Sequence, residues 1–201
     1  FKRLRRQTHI SKKGKIMSSS TVTKGALADA LKKLCRERPL EKISISDITG
    51  ECGLNRQSFY YHFQDKYELL DWIYYNELFV HFNSGVGFHN WEKNLEAFLA
   101  SMKNDKAFYC SALKSSDRTF EKHLYKIMHR LFVKFIHHAV KKMATRSKAD
   151  FFADYYSHGF CGVIIDWAVK GMKEPPAVLV SRIKELAFEN VLIGEGFREN
   201  L

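Results

Sequence analysis

Lys42–Leu70 reads KISISDITGECGLNRQSFYYHFQDKYELL, and this stretch decides the fold. Ser44 is followed three residues on by Asp47, a capping-box pattern with an acid in place of the usual Glu or Gln. Ile43 and Ile48 have the spacing of a hydrophobic staple across that cap. A helix is therefore expected to start at Ser44. Gly53 can take the left-handed conformation that ends it. Asn55 caps the next helix, with Leu54 and Phe59 as a second staple. Asp65 and Glu68 form another capping box, which puts Lys66 in the first turn of a further helix. Two helices joined by a three-residue turn and followed by a supporting helix make a helix-turn-helix.

In the second of these helices Phe59 and Phe63 are four residues apart and share a face suited to packing on Ile48 and Leu54. The opposite side is polar. Arg56, Gln57, Ser58 and Tyr61 project near the amino end of a short helix, where a helix-turn-helix presents side chains to base edges in the major groove. Arg56 suits guanine and Gln57 suits adenine. Tyr60, His62 and Lys66 are placed to meet phosphates, and the amino end of the following helix adds backbone donors that favour an anion.

Outward from this stretch the apolar spacing is helical almost everywhere from Thr21 onward. Ala26, Leu27, Ala30, Leu31, Leu34 and Cys35 recur at three- and four-residue intervals until Pro39 stops the first helix. Further helices are predicted near 44–52, 55–62, 65–82, 91–103, 105–114, 119–144, 148–171 and 176–193, with Pro176 suited to a first helical turn. The expected fold is all-α with about nine helices. His81–Asn90 (HFNSGVGFHN) breaks the pattern, so the domains are read as 17–82, which holds the helix-turn-helix, and 83–201. Residues 1–16 (FKRLRRQTHISKKGKI) are read as a basic disordered arm or an extension, with Met17 a candidate start.

The run SISDITGECGLNRQSFYYHFQDKYELL resembles the DNA-binding signature of the TetR family of transcriptional regulators. The resemblance rests on Phe59-Tyr60-x-His62-Phe63-x-x-Lys66, with Gly53-Leu54 at the turn and Leu69-Leu70 after it. It implies an all-helical homodimer with an amino-terminal DNA-binding domain and a larger carboxy-terminal effector and dimerisation domain. It carries DNA contacts over to Ser44, Ser46, Arg56, Gln57, Ser58, Tyr60, Tyr61, His62 and Lys66. With the cap residue Asn55 these form the candidate DNA-binding set. Ser46 stands where a basic residue is common, Cys52 where alanine is usual and Gln57 where glycine or proline is frequent, so no base preference is borrowed. The carboxy-terminal half is similar to a subgroup typified by the activator of dihydroxyacetone kinase genes, through Asn90-Trp91, Phe108-Tyr109 and an aromatic, Gly-containing helix ending in Trp167 and Gly171. The family implies a repressor controlled by a small molecule. The subgroup implies an activator whose effector is a protein.

Phe151, Phe152, Tyr155, Tyr156, Phe160, Val163, Ile164 and Trp167 make a broad apolar helix interrupted by Gly159 and Gly162. Phe152, Tyr156, Gly159, Val163 and Trp167, with Ile183 and Leu186 of the last helix, are the candidate dimer seam. Core packing is the alternative for the aromatics. A dimer would place two recognition helices ~34–36 Å apart, or a multiple of that, on a pseudo-palindromic operator. Phe108, Tyr109, Leu113, Phe120, Leu124, Met128 and Phe132 are candidates to line an effector pocket between helices, again with plain core as the alternative.

Composition excludes several classes. The chain has 201 residues, 45% hydrophobic and 27% charged, which is long enough for a real core. Its 33 Lys+Arg against 22 Asp+Glu leave a net +11, and seven of these bases fall in residues 1–16 without an acid. Cys35, Cys52, Cys110 and Cys161 are far apart, which suggests neither a disulfide framework nor a zinc knuckle. His81, His89, His123, His129, His137, His138 and His158 lack tight ligand spacing, so no metal or cofactor is expected. No apolar stretch reaches the ~20 residues of a membrane span and no secretory pattern opens the chain, which reads as cytoplasmic. Cys161 one turn from His158 has no orienting acid or oxyanion site, so no enzyme is expected. The alternative to a DNA-binding regulator is a protein-interaction module or co-activator whose main partner is another protein.

Overall fold

The computed structural model describes residues 19–82, 87, 89–114, 118–139 and 146–186. The basic segment 1–16, the predicted helix end at 140–144 and the last predicted turns from Ala187 on lie outside them. Every regular element among the described residues is helical, as the all-α reading predicts. Packing divides the chain into two units, the first ending at Ile73 and the second beginning at Tyr74.

In the first unit α1 (Ser19–Glu37) buries Leu27, Ala28, Ala30, Leu31, Leu34 and Cys35 along one stripe. Pro39 follows, and a 3₁₀ turn, Leu40–Lys42, leads to α2 (Ile45–Glu51). Next come α3 (Arg56–Tyr60) and α4 (Lys66–Ile73). α2 and α4 both pack on α1, and α3 packs on α2. Ile43, Ile48, Phe59, Phe63, Leu69 and Leu70 complete the core. Burying each such side chain contributes roughly 1.5–3 kcal/mol.

The second unit departs from the predicted pattern at its start. A single helix over 65–82 is expected, but α4 ends at Ile73 and gives way to a π-helical turn, Tyr74–Leu78, and a 3₁₀ turn, Phe79–Phe82. The wider i→i+5 turn brings Tyr74 and Phe79 onto one face. Both are buried, and both rings meet Phe120, at 5.1 and 5.8 Å between centroids. Tyr74, Leu78 and Phe79 are buried in the second unit, ahead of the boundary expected after Phe82.

This unit continues with α5 (Trp91–Asn104), α6 (Lys106–Leu113), α7 (Thr119–Ala139), α8 (Arg146–Val169) and α9 (176–186). α7 and α8 form its most extensive pairing, and α6 also packs on α8. At the end of α8, Gly171 takes φ +89° and Met172 φ +49°. The Met172 N–H returns to Trp167 O and the Gly171 N–H to Ala168 O, which closes the last turn as a Schellman motif. α9 then opens at Pro176, as predicted.

Candidate nucleic-acid interface

The helix-turn-helix is built from local hydrogen bonds that its sequence anticipates. The Ser44 N–H and hydroxyl donate to Asp47 Oδ2 at 2.8 and 2.7 Å, and the Asp47 N–H returns to Ser44 Oγ at 3.2 Å. Arg38 Nη2 holds the other carboxylate oxygen at 3.2 Å. The Ser44 N–H, then its hydroxyl and then Arg38 hold the Asp47 carboxyl below its ordinary range. α2 is closed by a turn at Gly53, with φ +67°, where the Leu54 N–H returns to Thr49 O and the Gly53 N–H to Gly50 O. This Schellman closure needs a left-handed residue, which glycine supplies without strain.

Asn55 caps α3 through its side-chain oxygen, which accepts the Ser58 N–H at 2.8 Å and the Ser58 hydroxyl at 3.0 Å. Asp65 caps α4 by accepting the Tyr67 and Glu68 N–H groups at 2.8 and 2.9 Å. One detail differs from the expected box: Glu68 reaches back to the Gln64 N–H instead of that of Asp65.

These caps aim α3. Phe59 and Phe63 are buried, 5.9 Å apart between ring centroids, and Phe63 also lies edge-on to Trp72 at 6.3 Å with Lys24 Nζ 5.4 Å from its ring. With that face anchored, Arg56, Gln57, Tyr60 and Tyr61 face solvent, and Tyr61 is 83% exposed. Arg56 Nη2 reaches Tyr60 Oη at 3.4 Å, and Tyr61 meets the half-buried His62 ring edge-on at 4.9 Å. Ser44 and Ser46 are exposed at the start of α2. The structure therefore brings the predicted set onto one unit. It also adds that the hydroxyls of Ser44 and Ser58 already serve caps.

The Lys66 ammonium donates to the backbone carbonyls of Leu40, Glu41 and Ile43 at 2.8, 3.1 and 2.9 Å, partners that its place in the sequence does not reveal. An ammonium has three donors, so all of them are engaged. The sequence reading also missed Arg38, whose contact with Asp47 depends on α1 lying beside α2.

In the second unit Phe108, Tyr109, Phe120, Leu124 and Met128 are packed as core instead of lining a cavity. Tyr109 stacks on Tyr74 at 6.2 Å, and its hydroxyl donates to Glu77 Oε2 at 3.3 Å. Leu113 is half-buried, and Phe132 packs separately on Tyr156 and Phe160, each at 5.9 Å. The reason is size: adjacent aromatic rings fill the space between the helices.

Surface cavities lie elsewhere among the described residues. A groove of about 600 Å³ runs between α8 and α9, past Val163, Trp167, Leu179, Ile183 and Leu186, and a shallower one of about 420 Å³ lies along Tyr125, His129 and Asp150. Near the second, Asp154 accepts the Tyr125 hydroxyl, a bond that pushes the phenol up to about 12.

The seam residues divide. On α8, Phe152 and Val163 are 48% and 42% exposed, Gly159 is open, and Leu186 on α9 is 53% exposed. Tyr156 is half-buried against Phe132, and Ile183 is half-buried in the groove. Trp167 is buried, its indole N–H donating to Glu174 O at 3.0 Å, so it is core and not seam. Phe151 and Tyr155, each 68% exposed, belong to the open face in its place.

Burial pushes the Cys161 thiol up to about 12, which leaves it no thiolate for nucleophilic chemistry near neutrality. Among the described residues no three ligating side chains cluster as for a metal ion, and no helix is long and apolar enough to cross a membrane.

A short capped helix held by two buried phenylalanines and presenting a polar row to solvent defines a helix-turn-helix protein. Residues 20–73 match the bacterial regulatory proteins of the tetR family, and residues 89–189 match a transcriptional regulator C-terminal region of the same family. The chain belongs to the TetR family of transcriptional regulators. It is 31% identical over 105 residues to the HTH-type dhaKLM operon transcriptional activator DhaS of Lactococcus lactis subsp. lactis (strain IL1403). That alignment spans 52% of this chain and 56% of the relative, little more than half of its length. The solved structure of a dihydroxyacetone kinase operon activator DhaS superposes with a TM-score of 0.68 at 26% identity, covering 86% of this chain and 98% of that one. A TetR transcriptional regulator from Streptococcus agalactiae 2603V shares the fold, with a TM-score of 0.61 at 20% identity over 81% of this chain and 92% of that one. These relatives are regulators of transcription, not enzymes, and the placement is DhaS-like.

Proposed function

We propose that this regulator acts as a homodimer that reads a pseudo-palindromic operator with Arg56, Gln57 and Tyr61 and touches the DNA backbone through Ser46, Tyr60, His62 and the first turn of α2. The carrying observation is the solvent-facing row on α3, opposite two phenylalanines fixed in the core. The open apolar face of α8, with Leu186 of α9, supports a seam between two copies. An effector that binds the second unit controls the dimer through its different affinities for the DNA-competent and incompetent states. Likeness to an operon activator supports activation as the sign of regulation.

Selection of the full chain on a random duplex library, followed by sequencing, tests this reading. Enrichment of an inverted repeat is the expected result. A folded protein that enriches no sequence would overturn it and bring forward an interaction module whose main partner is another protein.

A further inference from the structure

We propose that the hollow between α7 and α8 is a binding site for a small organic anion, whose phosphate or carboxylate group is held by Lys126 and Arg130 and whose body lies against Val133 and the Tyr125 ring. Its role as the effector's site rests on the reading above that an effector binds the second unit.

The hollow, of about 420 Å³, is lined by Tyr125, Lys126, His129, Arg130 and Val133 of α7 and by Asp150 of α8. Small-molecule sites occupy ~300–1,000 Å³, so there is room for a compact ligand. Residues 126, 129, 130 and 133 stand three and four apart, which sets them on one helical face. This side of α7 is basic: Lys122, Lys126, Arg130 and Lys134 recur every four residues, and all are exposed. Glu121 is the one acid on α7, and it pairs with Arg118 at 3.9 Å. In the lining, the Lys126 and Arg130 cations therefore face the single carboxylate of Asp150, which leaves a positive balance. The groove between α8 and α9, by contrast, runs along the proposed seam, where a second copy would cover it.

Asp154, one turn beyond Asp150, accepts the Tyr125 hydroxyl at 2.6 Å and lies 3.1 Å from His129 Nε2. The Tyr125 ring stacks on His129 at 5.8 Å and meets His158 at 4.6 Å between centroids. These contacts hold both lining rings in place before any ligand arrives, which lowers the ordering cost of binding. With Nε2–H given to Asp154, Nδ1 is the remaining polar atom of His129. Asp154 and an arriving anion both favour the imidazolium, which makes Nδ1 a third donor beside the Lys126 ammonium and the Arg130 guanidinium. The planar fork of arginine matches phosphate and carboxylate alike. Asp154 also lies on α8, the helix of the proposed seam, so a ligand that draws on His129 acts on the pairing of α7 with α8.

Nuclear magnetic resonance of the His129 imidazole in the full chain tests the site, with phenyl phosphate and benzoate as probes and benzyl alcohol as their neutral counterpart. The expected result is a saturable shift with at least one anion and none with benzyl alcohol, the tighter anion naming the group that is held. Lys126→Met combined with Arg130→Met should weaken that anion about tenfold or more. Lys122→Met combined with Lys134→Met removes the same charge from the same helix outside the hollow and should bind as the parent does. All four side chains are exposed, so both double variants should fold. Equal weakening in the two would show diffuse attraction to a basic helix and overturn the proposal. So would the absence of a saturable shift, or a shift with oligoglutamate alone, which would assign the surface to an acidic protein partner.

Duplex binding with and without the anion, at matched ionic strength, separates the site from its role. A change in duplex affinity that is present in the parent and absent in Lys126→Met with Arg130→Met is expected. A saturable site with unchanged duplex affinity would overturn its effector role, whereas no saturable site would overturn the site without touching the reading that an effector binds the second unit. Should the parent bind no duplex, the DNA-binding reading falls and the anion titration still decides the site.

Discussion

Ser44 and Asp47 bond in both directions, the Ser44 N–H donating to Asp47 Oδ2 at 2.8 Å and the Asp47 N–H donating back to Ser44 Oγ at 3.2 Å. The pair starts the first helix of the reading head, and its strength depends on a charged carboxylate. Bonding to Ser44 and then to Arg38 lowers the Asp47 value from the ordinary 3.8. A lowered folded value means that the stabilisation is fully present above about pH 4 and is lost as pH falls through the folded value. Acid titration followed by circular dichroism should therefore destabilise the parent more steeply than Asp47→Asn below pH 4. Asp47→Asn should already melt lower than the parent at neutral pH. Parallel acid profiles would show that the cap does not depend on charge.

Asn55 anchors the start of α3 through two bonds from Ser58. Asn55→Ala should cost ~1 kcal/mol of stability in urea titration, while Asn55→Asp or Asn55→Ser should retain most of it. Equal losses in all three would assign Asn55 a role other than the cap.

Arg56 and Gln57 face solvent at the start of α3. Arg56→Ala should leave folding stability within ~0.5 kcal/mol. It should lower affinity for the selected operator by ~1–3 kcal/mol and relax preference at one position in each half-site. Uniform weakening over all sequences would reassign Arg56 to a phosphate.

Phe120 is buried among Tyr74, Phe79 and Phe98, with ring centroids at 5.1, 5.8 and 6.5 Å. Phe120→Ala should destabilise the second unit by ~3–5 kcal/mol, since it removes contacts from a core that cannot fully collapse. Denaturant unfolding followed by near-ultraviolet circular dichroism measures this. A loss below ~1 kcal/mol would indicate space already present there, and so restore the pocket reading of this cluster.

Phe151, Phe152, Tyr155 and Val163 leave apolar surface open along α8. Tyr155→Glu should keep the fold, because the side chain is exposed, and should convert the proposed dimer to a monomer by placing charge at the proposed seam. Sedimentation velocity at micromolar concentration is the check. A variant that remains dimeric would place the seam elsewhere.

Much of the reading head is legible because its determinants lie within a few residues of one another. Ser44 meets Asp47, Asn55 meets Ser58, and Gly53 and Leu54 close α2 on Gly50 and Thr49, all within one or two turns. Apolar spacing likewise foretells that Phe59 and Phe63 turn inward. The same logic fails where the partner is remote. Periodicity cannot separate a ring that lines a cavity from one that fills it, and so Phe108, Tyr109 and Phe120 read as pocket candidates with plain core as the alternative. On α8, apolar on nearly every side, spacing cannot decide that Trp167 faces inward while Tyr155 faces out.

By itself the sequence determined the helical class, the caps and turn of the helix-turn-helix, and the side of α3 that stays polar, because each follows from contacts one or two turns apart. Only the tertiary structure decided what Lys66 touches within the protein. Its partners are carbonyl oxygens that every residue type possesses, and they come within reach only after α1, α2, α3 and α4 have packed.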